Sequence, residues 1–267
     1  MLPEPIFSIG PFSVHMYGLM IGLGVLGTFL VLFFYGKKRG LHADFLDFTF
    51  YNGVVTILFG FLSAALFQAV YNYIDNPAGG FKLFDGGLTF IGGLIGGIAF
   101  FVGGYWLYRL YYYKKGTEPK GYVVDLLPIA PCCILIAHAF GRVGCFFAGC
   151  CYGKETDSFL GVQFPGHDHP VHPTQLYEAL FLFLLFGVLS LLLLKWGFRH
   201  TMSVYLVCYG IFRFGIEYLR DDYRGELVKG ITPSQFWSLC MVVGGVALYF
   251  ILDYIYKKRD AKKEANS

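Results

Sequence analysis

The chain has 267 residues, of which 56% are hydrophobic, 19% aromatic and only 15% charged. Soluble domains carry roughly 25% charged residues, so too little polar surface exists here to coat a water-soluble globule. A soluble enzyme and a disulfide-stapled secreted domain are excluded, and a net charge of +3 with no basic face or nucleic-acid motif gives no reason to expect a nucleic-acid partner.

A helix crossing the hydrocarbon core needs about 20 mostly apolar residues. Seven segments qualify: 14–35, 46–73, 88–112, 123–148, 174–195, 202–219 and 234–256. The pattern predicts an all-α polytopic membrane protein. A single bundle of seven transmembrane helices occupies one domain, 1–256, and a basic cytoplasmic tail follows at 257–267. The opening Met1-Leu2-Pro3-Glu4-Pro5 lacks the basic region of a cleavable signal peptide.

The ends of segments one, three, five and seven are basic: Lys37-Lys38-Arg39, Arg109 with Lys114, Lys115 and Lys120, Lys195 with Arg199, and Lys257-Lys258-Arg259 with Lys262-Lys263. That places 14 positive residues on one side, against 5 on the other (Lys82, Lys154, Arg220, Arg224 and Lys229). The asymmetry predicts an N-terminus outside and a C-terminus in the cytoplasm. The outer loops are chemically richer, which places the expected chemistry on the outer face. Among the spans, Gly92-Gly93 and Gly96-Gly97 in the third would let helices approach closely.

Ionisable residues inside spans are costly and generally face a bundle interior or wet cavity. The fourth segment carries His138 and Arg142 at i, i+4, with Gly141 and Gly144 near the arginine, and a planar guanidinium suits bidentate phosphate recognition. The loop before the fifth reads Pro170-Val171-His172-Pro173-Thr174-Gln175-Leu176-Tyr177-Glu178. Thr174 is the expected N-cap, and Gln175 and Glu178 lie one turn apart. The sixth carries Arg213, Glu217 and Arg220 at i, i+4 and i+7, expected on one helix face. A self-neutralising ion pair is one reading; the arginine left over instead suits an anionic headgroup, making phospholipid the expected substrate class.

Taken together these segments resemble the prolipoprotein diacylglyceryl transferase family. The matching stretches are Tyr17-Gly18-Leu19-Met20, Asp85-Gly86-Gly87-Leu88-Thr89-Phe90 followed by Gly92-Gly93-Leu94-Ile95-Gly96, Gly141-Arg142-Val143-Gly144, His172-Pro173-Thr174-Gln175-Leu176-Tyr177-Glu178, and Tyr209-Gly210-Ile211-Phe212-Arg213 with Glu217 and Arg220. The resemblance implies a bacterial inner-membrane enzyme with its active site toward the outer leaflet. Such an enzyme moves the diacylglyceryl group of phosphatidylglycerol to the lipobox cysteine thiol beside a prolipoprotein signal peptide, releasing glycerol phosphate without a cofactor. It implies that Arg142 and Arg213 act on the phosphate and that Tyr17 lines the lipid pocket. Arg220 and His172 join the substrate site, while Glu217, Gln175 and Glu178 orient its groups.

The chain also departs from the family pattern. Ile91 stands where the family's proposed general base is a histidine, Cys145 where an asparagine is usual, and Cys150 where a polar residue is usual; a further basic position aligns with Ala64. Isoleucine takes no proton. His138, Cys145 or Cys150 are the replacement candidates for the catalytic role, or the acceptor differs.

Of seven cysteines, Cys132, Cys133, Cys208 and Cys240 read as buried packing residues. Cys145, Cys150 and Cys151 sit beside Arg142 and admit three readings: a loop disulfide, a reactive thiol that accepts the lipid group covalently, or a metal site with His167, His169 or His172. The spacing matches no standard zinc pattern, so no metal is the expectation. Two alternatives to the usual reaction remain: a divergent family enzyme serving another acceptor, and a lipid-binding membrane protein without catalysis.

Overall fold

The computed structural model describes residues 5–10, 12–83, 87–221 and 230–265. Asp85 and Gly86 of the matching stretches, Arg224 and Lys229 of the outer charges, and Met1 to Glu4 of the opening lie outside the described residues. The chain is helical apart from a small antiparallel hairpin, β1 (Phe7–Ile9) with β2 (Phe12–Val14), in which Ser8 faces Ser13. Helices follow in the order α1 (Met16–Lys38), α2 (Ala43–Asp75), α3 (Phe90–Lys114), α4 (Val123–Leu126), α5 (Ala130–Phe147), α6 (Thr174–Lys195), α7 (Thr201–Ile216) and α8 (Pro233–Glu264).

Among the described residues, six helices (α1, α2, α3, α5, α6 and α8) are long and apolar enough to cross a membrane. Helix α7 has 16 residues and continues as a 3-10 turn over Glu217–Leu219, so its regular part falls short of the length expected for the sixth span. The fourth expected span also begins later. Residues 123–126 form the separate helix α4, and α5 starts at Ala130 with Pro131 in its first turn, where a missing backbone N–H costs nothing. At the other end the basic stretch from Lys257 continues α8 as helix to Glu264.

The chain divides into two compact units, Arg39–Asp125 and the remainder. In the first, α2 and α3 pack through glycines. A Cβ on Gly96 would lie 2.3 Å from the Ser63 Cβ and one on Gly92 would lie 2.6 Å from the Phe67 Cβ, so only glycine admits this approach. The Ser63 hydroxyl donates to the Gly92 carbonyl at 2.8 Å and Asn52 Nδ2 donates to the Phe101 carbonyl at 3.1 Å. Phe45, Phe48, Tyr105, Tyr108 and Tyr112 stack at one end. Ala64 is buried beside Gly93. A long basic side chain would not fit there without separating the helices. Ile91, in the first turn of α3, is exposed.

The larger unit holds α1, α5, α6, α7 and α8. Gly24 lies against the Ala137 backbone and Gly144 against Tyr17, joining α1 to α5. Phe140 meets Phe183 edge-on between α5 and α6, and Phe181 stacks on Phe212 at 4.0 Å between α6 and α7. Helix α8 closes on α7 where a Cβ on Gly210 would fall 2.8 Å from the Ser238 carbonyl oxygen. Packing by small residues is what holds helices together where lipid removes the hydrophobic drive.

Candidate active site

In the larger unit His138, Arg142 and Tyr209 gather around one carboxylate. Glu178, fully buried, approaches Arg142 Nε through Oε2 at 2.9 Å and His138 Nε2 through Oε1 at 3.4 Å. Its Oε1 also accepts the Tyr209 hydroxyl at 2.8 Å. His138 and Arg142 share a face of α5 by their i, i+4 spacing, and the Glu178 carboxylate on α6 lies between them. A buried carboxylate is tolerated only with such partners. Arg142 meets Glu178 through Nε, and its side chain keeps 20% exposure.

Beside it, Arg213 Nη1 pairs with Glu217 Oε2 at 2.7 Å and Nη2 donates to Ser234 Oγ at 3.1 Å. The Thr232 hydroxyl donates to Glu217 Oε1 at 3.0 Å and accepts from the Gln235 backbone N–H, tying this pair to the start of α8. Arg220 does not continue the helix face expected from its spacing. The helix ends at Ile216, and Arg220, buried, has extended backbone paired with Gly153 in an antiparallel bridge. The five groups Arg142, Arg213, Arg220, Glu178 and Glu217 together sum to one positive charge.

The loop from Ala148 to Pro173 is bound to these elements. The Gly153 N–H donates to the His172 carbonyl at 2.8 Å and the Lys154 N–H to the Leu219 carbonyl at 2.8 Å. A Cβ on Gly153 would lie 2.3 Å from that Leu219 oxygen, so the crossing requires glycine. Thr174 is not the cap expected of it. Pro173 holds that position, and Thr174, the first helical residue, donates its hydroxyl to the Cys151 carbonyl at 2.9 Å. Buried Gln175 donates through Nε2 to the Cys150 carbonyl, and its Oε1 has no hydrogen-bond partner among the described residues. His172 Nδ1 lies 3.2 Å from the Tyr177 hydroxyl, a contact that positions the loop. Tyr17 packs over Gly144 at the start of α1.

Cys145, Cys150 and Cys151 converge, with all three Sγ atoms within 4.8 Å of one another. Each carries a free thiol, as do the other four cysteines. The histidines named with them in the metal reading do not join this group; His167 instead packs edge-on against Tyr152. Hydrogen bonds with Cys145 and Cys150 pull the Cys151 thiol well below its ordinary range, and Arg220 and Arg142 add to that. Sharing hydrogen bonds with Cys145 and Cys151 pushes Cys150 up. Cys132 is buried as expected, whereas Cys240 is exposed. Within α8, a helix apolar enough to cross a membrane, an exposed thiol faces away from the protein core.

One contributor, Tyr209, was given no role in the sequence-derived site. Tyr209 stands four residues before Arg213, which stands four before Glu217, a spacing that marks one helix face. Cys151, named with Cys145 and Cys150 from the sequence, reaches Cys145 through a loop conformation and not through helical spacing.

The family model for prolipoprotein diacylglyceryl transferase matches residues 4–251. A phosphatidylglycerol–prolipoprotein diacylglyceryl transferase 2 from Clostridium perfringens is 33% identical over 264 residues, covering 94% of this chain and 96% of the relative. The corresponding transferase of Clostridium tetani is 34% identical over 261 residues, with 92% and 96% covered. That of Coxiella burnetii, strain RSA 331, is 35% identical over 268 residues, with 95% and 96% covered.

Proposed function

This chain belongs to the prolipoprotein diacylglyceryl transferase family, and we propose that it transfers the diacylglyceryl group of phosphatidylglycerol to the lipobox cysteine of prolipoproteins. The carrying observation is the buried Glu178 carboxylate that holds Arg142, His138 and Tyr209 in one cluster. A charge this deep is retained for use, since membrane burial makes it costly.

The reaction is a displacement. The acceptor sulfur attacks the glycerol carbon bearing the phosphate ester, and glycerol phosphate leaves with the C–O electron pair. Arg142 offers its terminal nitrogens to the phosphate, where negative charge develops, and donors fixed beforehand stabilise that charge without reorganising. Glu178 and Tyr209 hold the Arg142 side chain in place. Arg213, fixed by Glu217 and Ser234, contributes the second positive charge, and buried Arg220 a third. Tyr17 lines the lipid side. Gln175 and Thr174, through the carbonyls of Cys150 and Cys151, with His172, hold the loop above. His138, Cys145 and Cys150 are the groups within this site for the proton or the sulfur chemistry. The protein sits in the bacterial inner membrane with seven spans, α7 and its 3-10 extension being the sixth, and with its N-terminus and active site outward. The acceptor is presented beside the signal peptide.

A second reading, a family enzyme with another acceptor, rests on Ile91, which offers no proton acceptor at the family's histidine position. Purified protein incubated with phosphatidylglycerol and a lipobox peptide separates the two. Thioether-linked diacylglyceryl peptide is the expected product. Glycerol phosphate release without labelled peptide would favour the second reading, and phospholipid binding without turnover would make the chain a binding protein.

A further inference from the structure

The reaction derived above gives the three thiols that converge at the end of α5 no individual step. Their arrangement is specific. Gly149 at φ +69° and Cys151 at φ +64° turn the chain back on the helix end, and Cys151 is the one non-glycine with positive φ among the described residues. A non-glycine held there is strained, and such strain persists only where surrounding contacts over-determine it. Here the contacts are visible. The Cys150 N–H donates to the Cys145 carbonyl at 3.1 Å, while Gln175 and Thr174 donate to the carbonyls of Cys150 and Cys151.

Three sulfurs bound to one zinc ion at about 2.3 Å each stand roughly 3.7 Å apart in a tetrahedron. The observed separations, all within 4.8 Å, need only small side-chain rotations to reach that spacing. Structural zinc sites close with four protein ligands, whereas catalytic ones keep three and an open position. Among the described residues the group comprises these three thiols.

We propose that Cys145, Cys150 and Cys151 form a three-thiolate zinc site whose fourth position takes the acceptor thiol. This rests on the transfer reaction proposed above and supplies the thiol activation that Ile91 does not. The acceptor S–H gives its proton to water on coordination. The zinc-bound sulfur then donates an electron pair to the glycerol carbon, the C–S bond forms, the C–O bond breaks, and its electron pair leaves with the phosphate of glycerol phosphate. Zinc remains +2 throughout, with no change of oxidation state. Metal coordination of a thiol replaces a general base, because the coordinated thiol is deprotonated outright.

The test uses the full chain in phosphatidylglycerol nanodiscs under reducing conditions, with zinc content measured and Co2+ substituted as a spectroscopic probe. About one metal per chain is expected, with a sulfur-to-cobalt charge-transfer band lost in Cys145→Ser and in Cys151→Ser but kept in Cys208→Ser. A lipobox peptide should shift the band, and its Cys→Ser counterpart should not. Chelation should slow transfer by about 10²-fold, the low end of what an activating group contributes, and zinc should restore it. Reduced thiols that bind no metal would overturn the proposal, as would a disulfide among the three in protein taken from native membranes. A cobalt band indifferent to the cysteine peptide would overturn the open position. Because the band is read on the unaltered chain, misfolded variants would not obscure the result. Metal binding with the peptide shift but no thioether product would instead overturn the transfer reaction and leave the metal site standing.

Discussion

Arg142 and Glu178 are 36 positions apart in sequence, yet the arginine Nε and the carboxylate Oε2 lie 2.9 Å apart. Glu178 is fully buried, so it has no water to replace Arg142 if the pair is broken. This pair, rather than the bundle alone, sets where the guanidinium lies.

Glu178→Gln keeps the shape and removes the charge, leaving the half-buried Arg142 without its carboxylate partner. Breaking a buried pair on one side costs about 3–5 kcal/mol. Thermal unfolding in detergent should show a clear drop, and transfer should fall even where the variant remains folded. Unchanged unfolding and unchanged turnover would show that Glu178 does not hold Arg142.

Arg142→Lys keeps the charge and loses the planar fork, so it separates charge from geometry. Loss of one preorganised donor to a developing anion costs about 10²–10³ in rate. Turnover with labelled phosphatidylglycerol should fall by that order while unfolding shifts far less than in Glu178→Gln. Activity near that of the parent would take the phosphate away from Arg142.

His138 is 3.4 Å from Glu178 Oε1, an oxygen that also accepts the Tyr209 hydroxyl. With thiol activation assigned to the cysteine cluster, His138→Gln should keep transfer within about tenfold. A loss of 10²–10⁴, the range of a general base, would return that role to His138.

Gly210→Ala places a Cβ 2.8 Å from the Ser238 carbonyl oxygen, a backbone atom that cannot swing aside. Overpacking of this kind costs about 1–3 kcal/mol. Because Arg213 and Ser234 lie across the same α7–α8 seam, turnover should fall with stability. Gly187→Ala, which meets nothing within 4 Å on α6, is the control expected to unfold as the parent does.

Away from the site, His200 lies against the rings of Tyr249 and Tyr256, and burial holds its imidazole below the ordinary 6.5. The folded state therefore favours the neutral ring. Stability present above about pH 6.5 is lost as the pH falls below it, since the unfolded chain binds the proton first. Unfolding of His200→Gln measured across pH 7 to 5 should decline less steeply than that of the parent, and parallel curves would remove the effect.

The membrane nature of the chain, the run of its long helices and the i, i+4 pairs His138–Arg142 and Arg213–Glu217 are legible in the sequence. Hydropathy and helical spacing are local quantities, accumulated along one segment at a time. The end of α7 was not legible, because a 3-10 turn at Glu217 and an extended Arg220 go with contacts to Gly153 and Lys154, far away along the chain. Nor was the place of Thr174, whose hydroxyl serves the Cys151 carbonyl instead of capping α6. The scarcity of charge marks a membrane protein before any fold is known. That Glu178 gathers Arg142, His138 and Tyr209, and that three cysteines meet at one point, was decided by tertiary structure: helices α5, α6 and α7 had to pack, and Cys151 had to turn through positive φ, before groups remote in sequence became neighbours.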